Sequence, residues 1–103
     1  MADWLVGNTS EVSEGRLVPV QVHGKKLVIG RSHGRYFAFE DKCPHAGAPL
    51  SLGHLEGNSL QCAKHGWKFD VFSAQSLPEQ SAFCLNSFAV RVDGEKLYVA
   101  LEA

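Results

Sequence analysis

The chain has 103 residues, 45% hydrophobic and 20% charged, a balance that fits one folded domain and excludes a disordered or low-complexity segment. A formal net charge of −1 shows no nucleic-acid footprint and no strongly acidic docking face at the level of the totals. No apolar run approaches the roughly 18 residues of a membrane span, and Met1-Ala2-Asp3-Trp4 has neither the basic nor the apolar part of a secretion leader.

Trp4-Leu5-Val6 is a short apolar start, read as an edge strand. Asn8 with Glu11 three residues on has the form of a capping box, so one helical turn is expected before Gly15 stops it. Asn8-Thr9-Ser10 matches the N-glycosylation pattern but is idle without a secretion leader. Leu17 to Val22 alternates, with Val18, Val20 and Val22 on one face, and Pro19 confines this strand to a sheet edge or a bulge. Turns at His23-Gly24 and Ser32-His33-Gly34 bracket Leu27-Val28-Ile29 and lead into Tyr36-Phe37-Ala38-Phe39, which predicts an antiparallel meander. Trp67 and Phe69 alternate with Lys68 and Asp70, again strand-like. The last hairpin puts Phe88, Val90 and Val92 on one face, turns at Asp93-Gly94, and returns through Leu97, Val99 and Leu101. No stretch suits a substantial amphipathic helix and no repeat is present. The predicted class is all-β, an antiparallel β-sandwich or partly open barrel.

The chemistry concentrates between Cys43 and His65. Cys43-Pro44-His45 is followed, after sixteen residues, by Cys62-Ala63-Lys64-His65, so each half offers one thiolate and one imidazole. Two loops with that division suit a [2Fe–2S] centre in which cysteines take one iron and histidines the other. A closed tetrahedral zinc site draws on the same donor types. Zinc knuckles usually pair cysteine with cysteine and histidine with histidine, however, and Cys-x-His is shorter than their common spacings. Cys84, within Ala82-Phe83-Cys84-Leu85, reads as a buried thiol. Two cysteines for a cluster and one left over argue against a disulfide framework and for a reducing cytoplasm.

The motif and its flanks resemble the Rieske family, and within it the small soluble Rieske-type ferredoxins of multicomponent, ring-hydroxylating oxygenases. The specific part is Cys43 to Phe69; beyond it the likeness rests on strand order. The resemblance implies a single domain over residues 1–103, a β-sandwich with a small cluster-binding subdomain inserted at about Asp41 to Val71. It implies that Cys43, His45, Cys62 and His65 hold one cluster. Gly47, Pro49 and Gly53 favour a tight loop whose backbone N–H groups face sulfide. Leu50 and Leu52 are expected to pack beneath that loop, with an apolar docking rim as the alternative. Pro78 matches the proline-containing loop that covers the cluster in relatives. Lys64 is either a plain solvated side chain or a draw for an acidic partner, and His23, His33 and His54 read as solvent-facing loop residues.

Charge counting sets the expected redox behaviour. Two ferric ions, two sulfides and two thiolates sum to zero, whereas a four-cysteine centre sits at minus two, so histidine ligation raises the potential by roughly a few hundred millivolts. High-potential members of the family clip their loops with two further cysteines, at positions corresponding to Ala48 and Lys64. They also place hydroxyl donors to cluster sulfur where this chain has Trp67 and Phe69. Lacking both, the chain is expected near the low end of the Rieske range, about −150 mV. Oxidation acidifies the distal imidazole nitrogens, so the potential is expected to be flat near neutral pH and to fall as pH rises.

The resemblance implies a carrier and not an enzyme. Electrons would arrive from a flavin-containing NAD(P)H reductase and leave to a terminal oxygenase acting on aromatic or related compounds, through a small transient interface at the tip bearing His45 and His65. Neither nucleic acid nor membrane enters this reading, nothing demands more than a monomer, and the small net charge predicts weak salt dependence. Three alternatives stay open. They are the ferredoxin of a diiron hydrocarbon monooxygenase, the small subunit of an assimilatory nitrite reductase, and a zinc-stabilised interaction module.

Overall fold

The computed structural model describes residues 2–42, 49–62, 68–73, 76–77 and 86–101. Among these the regular structure is β-strand, apart from two 3₁₀ turns at Thr9–Glu11 and Leu50–Leu52. The strands are β1 (Ala2–Asn8), β2 (Leu17–Val22), β3 (Lys25–Ser32), β4 (Arg35–Glu40), β5 (His54–Glu56) and β6 (Ser59–Gln61). After them come β7 (Lys68–Asp70), β8 (Ser76–Leu77), β9 (Ser87–Phe88), β10 (Val90–Asp93) and β11 (Lys96–Leu101). They form three antiparallel sheets: an outer sheet β1-β11-β10, a central sheet β2-β3-β4-β9, and an inserted sheet β5-β6-β7-β8. The all-β antiparallel sandwich read from the sequence is the architecture observed.

The central meander follows from two matching turns. Val22 pairs with Lys25 and Ser32 with Arg35, leaving His23-Gly24 and His33-Gly34 as two-residue loops. All four residues have positive φ, with His23 at 51° and His33 at 53°. That is the backbone of a type I′ hairpin, whose twist matches the strands it joins. The Glu14 carboxylate accepts the backbone N–H of His33 at 2.7 Å and of Gly34 at 3.0 Å, which caps the second turn. His23 is exposed, as expected, and its ring stacks on Trp4 at 4.6 Å.

Both faces of the central sheet are buried, which explains why β3 and β4 carry continuous apolar runs. Leu27, Ile29 and Ala38 face the outer sheet and pack with Val22, Leu97, Val99 and Leu101. Val28, Phe37 and Phe39 face the inserted sheet and pack with Leu50, Leu55, Leu60 and Phe69. Gly30 lies on that same inward face, opposite Phe37. A Cβ there would run into the Phe37 ring and come within 3.0 Å of the Arg16 carbonyl oxygen. The missing side chain is what lets the phenyl ring lie across the strand.

Several local expectations shift by a residue or two. β1 and β2 are edge strands, and Pro19 sits exposed on β2 where no further strand needs its missing N–H. The capping box forms, with Asn8 N donating to Glu11 Oε1 at 2.9 Å, but the turn ends at Glu11. Gly15 instead donates its N–H to the Arg31 carbonyl. The strand expected through Phe88, Val90 and Val92 divides at Ala89, where the chain crosses from the central to the outer sheet. Phe88 and Val90 reach the core, but Val92 is 47% exposed. Asp93 pairs with Lys96, so the hairpin turns on Gly94-Glu95, and Gly94 supplies the positive φ of 61° at its first position.

Candidate iron–sulfur centre

The insertion leaves the central sheet at the end of β4 and returns at β9. Its sheet continues to β8 at Ser76–Leu77, past the Val71 limit expected from the sequence, because β8 pairs with β7. Two contacts from the central sheet seat this one, and a third closes it on itself. The buried Ser32 hydroxyl donates to the Gly57 carbonyl at 2.7 Å, with Asn58 Oδ1 beside it at 2.9 Å. Val71 N donates to the Asn58 carbonyl at 2.9 Å. The Arg35 guanidinium lies 4.3 Å over the Phe72 ring. Leu60 and Phe69, cross-strand partners on β6 and β7, are completely buried against the central sheet. Full burial of a side chain such as Phe69 contributes about 2–3 kcal/mol.

The segment expected to bear the first two ligands is pinned at its base. Asp41 N donates to the Lys26 carbonyl at 2.9 Å, which fixes the end of β4 on β3. Asp41 Oδ1 then accepts Ser51 N, and Oδ2 accepts Ser51 Oγ, each at 2.7 Å. This closes the chain around residues 42–50, which include Cys43 and His45. Leu50 anchors the far side of the closure in the core, whereas Leu52 is 72% exposed. The expected packing therefore holds for Leu50 and not for Leu52.

The second segment is set by strand register. Gln61 pairs with Lys68, so Cys62 and His65 both belong to the connection 62–67 between β6 and β7. Cys62 follows directly on β6 and is 1% exposed, packed in the cluster of Leu50, Leu60, Phe69 and Val71. Gly53 brings the two segments together. A Cβ on Gly53 would collide with the Gln61 carbonyl oxygen, one residue before Cys62, and approach the Leu50 carbonyl at 3.0 Å. Its φ of −81° and ψ of −161° are ordinary extended backbone, so the requirement is steric.

Of the four expected ligands, Cys62 is described; Cys43, His45 and His65 lie outside the described residues, as do Gly47, Ala48, Lys64, Trp67, Pro78 and Cys84. Among the described residues no three His, Cys, Asp or Glu side chains converge as a metal site. Phe69 is described, and it offers a buried apolar ring with no hydroxyl. His54 is exposed as expected but sits on β5 rather than in a loop. Sequence reasoning missed Asp41, Ser51 and Ser32. Ser32 did carry a signal, since it continues the inward-facing parity of Val28 and Gly30 with a polar side chain.

The donor set fits a binuclear cluster with two thiolates for one iron and two imidazoles for the other. The buried surroundings of Cys62 supply the dry wall such a centre requires. Fold and donor chemistry together define a β-sandwich iron–sulfur protein. The chain belongs to the Rieske [2Fe–2S] domain family, whose family model matches residues 3–99. Its cofactor is accordingly a Rieske-type [2Fe–2S] cluster, and the zinc reading falls away. The chain is 30% identical over 91 residues to the ferredoxin component of the naphthalene 1,2-dioxygenase system of Pseudomonas aeruginosa, covering 88% of each. It resembles a chain in the complex of reduced oxygenase and oxidised ferredoxin of carbazole 1,9a-dioxygenase, with a TM-score of 0.87 and 30% identity over 95% of this chain and 92% of that one. The fold is also that of the ferredoxin of carbazole 1,9a-dioxygenase from Nocardioides aromaticivorans IC177, with a TM-score of 0.89 at 22% identity over 99% and 100% of the two chains. No helix among the described residues is long and apolar enough to cross a membrane.

Proposed function

We propose that this chain is a cytoplasmic, monomeric one-electron carrier whose cluster is held by Cys43 and Cys62 on one iron and by His45 and His65 on the other. It takes electrons from a flavin-containing NAD(P)H reductase and delivers them to a terminal oxygenase acting on aromatic or related compounds. When bound, the cluster supplies a reversible one-electron couple. The chain's own residues give it a fixed seat. Asp41 and Ser51 hold the base of the first ligand-bearing segment, Gly53 brings it against Gln61, and Leu50, Leu60, Phe69 and Val71 keep water from the Cys62 side.

One observation carries this reading. The likeness to a ferredoxin component runs through 88% of both chains at 30% identity, so it spans the whole fold and not the cluster motif alone.

The test has two arms. Anaerobically prepared protein is expected to contain two irons and two acid-labile sulfides per chain, with Cys62→Ser losing them. Candidate reductase–oxygenase pairs are expected to turn over only when the reduced protein is added. Absence of iron and sulfide would refute the cluster assignment, and failure of every pair that works with related ferredoxins would refute the shuttle.

A further inference from the structure

The net charge of −1 hides a local excess of positive charge. A surface groove of about 390 Å³ lies where β3 and β4 meet the stem of the first ligand-bearing segment. Its apolar floor comes from half-buried Phe88 and exposed Pro49. Its rim carries Lys25, Lys26 and Lys42, all exposed, and none of them forms an ion pair among the described residues. The two carboxylates lining the groove are turned to neighbouring donors, Asp41 to Ser51 and Glu40 to Asn86 Nδ2 at 3.3 Å. Both carboxylates keep their charge while bound to these neutral donors, so the three exposed ammonium groups leave the groove an excess of one positive charge.

We propose that this groove docks an acidic surface segment of a redox protein that exchanges electrons with this chain, an inference that rests on the carrier reading above. Position is the first argument. Lys42 and Pro49, both lining the groove, bracket residues 43–48, so a segment seated there lies against the stem of the part carrying Cys43 and His45. Chemistry is the second. Lysine ammonium groups on flexible stems donate to carboxylates over a range of positions, which suits a segment of several acidic side chains better than one anion held in a fixed geometry. The apolar floor matches the methylene stems of glutamate side chains. Such a patch acts within a Debye length of about 8–10 Å, so it gives salt-sensitive docking that the total charge does not reveal.

The experiment titrates ¹⁵N-labelled holoprotein with hexaglutamate at low ionic strength, following backbone amides. Saturable shifts are expected at Lys25–Leu27 and Asn86–Phe88, and added salt should abolish them. Lys25→Glu combined with Lys26→Glu should weaken binding about tenfold or more, since two exposed attractions become repulsions. Lys96→Glu, at the start of β11 and outside the groove, should leave binding unchanged, and an unaltered visible spectrum confirms that each variant keeps its cluster. Absent saturation, shifts centred elsewhere, or binding that survives the double reversal would overturn the proposal. Inorganic phosphate binding as tightly as hexaglutamate would also overturn it, in favour of a small-anion site. These results read only the groove; the carrier reading is decided separately by iron, sulfide and turnover.

Discussion

Replacing Asp41 by alanine tests whether the base of the first ligand-bearing segment is held as the geometry indicates. The substitution removes two acceptors at once, each 2.7 Å from its Ser51 donor, while the Asp41 backbone bond to Lys26 remains. Hydrogen bonds to a charged group contribute about 1.5–3 kcal/mol each. The pair shares one half-buried carboxylate, so about 2–4 kcal/mol is expected, concentrated in local opening. At 1.4 kcal/mol per factor of ten, 2 kcal/mol makes Ser51 amide exchange roughly 30-fold faster. Loss of visible absorbance in the presence of an iron chelator should accelerate in parallel. Global unfolding should move less, because Leu50, Leu60 and Phe69 keep their packing. Asp41→Asn keeps one acceptor and the shape but not the charge, and should fall between wild type and alanine. Unchanged Ser51 exchange in the alanine variant, or an asparagine variant as damaged as alanine, would refute the clamp.

Gly30→Ala forces a Cβ into the Phe37 ring and should cost about 1–3 kcal/mol in urea unfolding; adding Phe37→Leu should recover part of it, and no recovery would show that the ring is not the obstacle. The reduction potential is expected near −150 mV, and Trp67→Ser with Phe69→Tyr should raise it in voltammetry. The tyrosine hydroxyl would enter a fully buried position, where an unpaired polar group costs about 1–3 kcal/mol, so a destabilised protein with an unmoved potential would mean the hydroxyl finds no sulfur. Backbone N–H groups of Gly34 and His33 hold the Glu14 carboxyl below its ordinary value. A depressed carboxylate stabilises the fold above its unfolded value and loses that contribution as pH falls through the lower folded one. His33 and Gly34 amide protection should therefore drop on acidification below the ordinary glutamate range, and Glu14→Gln should flatten that pH dependence.

The meander was legible because its signals are local. Val18, Val20 and Val22 alternate, and each His-Gly pair supplies the two positive φ values that a tight hairpin demands. Of the inserted sheet only β7 was legible, from the alternation around Phe69. β5 and β6 have three residues each and β8 has two, too few to display a period against the turns between them. The four ligands were expected from spacing and family resemblance, which need no knowledge of strand positions. The Asp41–Ser51 closure could not: each residue alone fits an ordinary turn, and only folding brings the carboxylate to both Ser51 donors.

The parity of β3 shows how one strand serves both stability and the site. Leu27 and Ile29 fasten the outer sheet, while Val28, Gly30 and Ser32 seat the inserted one. A slip of one residue would exchange these sets, turning Ser32's hydroxyl towards the outer sheet and Leu27 towards the inserted one. The two-residue His-Gly loops at both ends of β3 oppose such a slip, since they leave no spare residue to absorb it. The stem of the first ligand-bearing segment hangs from the same strand through the bond from Asp41 N to the Lys26 carbonyl. Register in the central sheet, set by turns that carry no redox chemistry, thereby fixes where the chain must deliver Cys43.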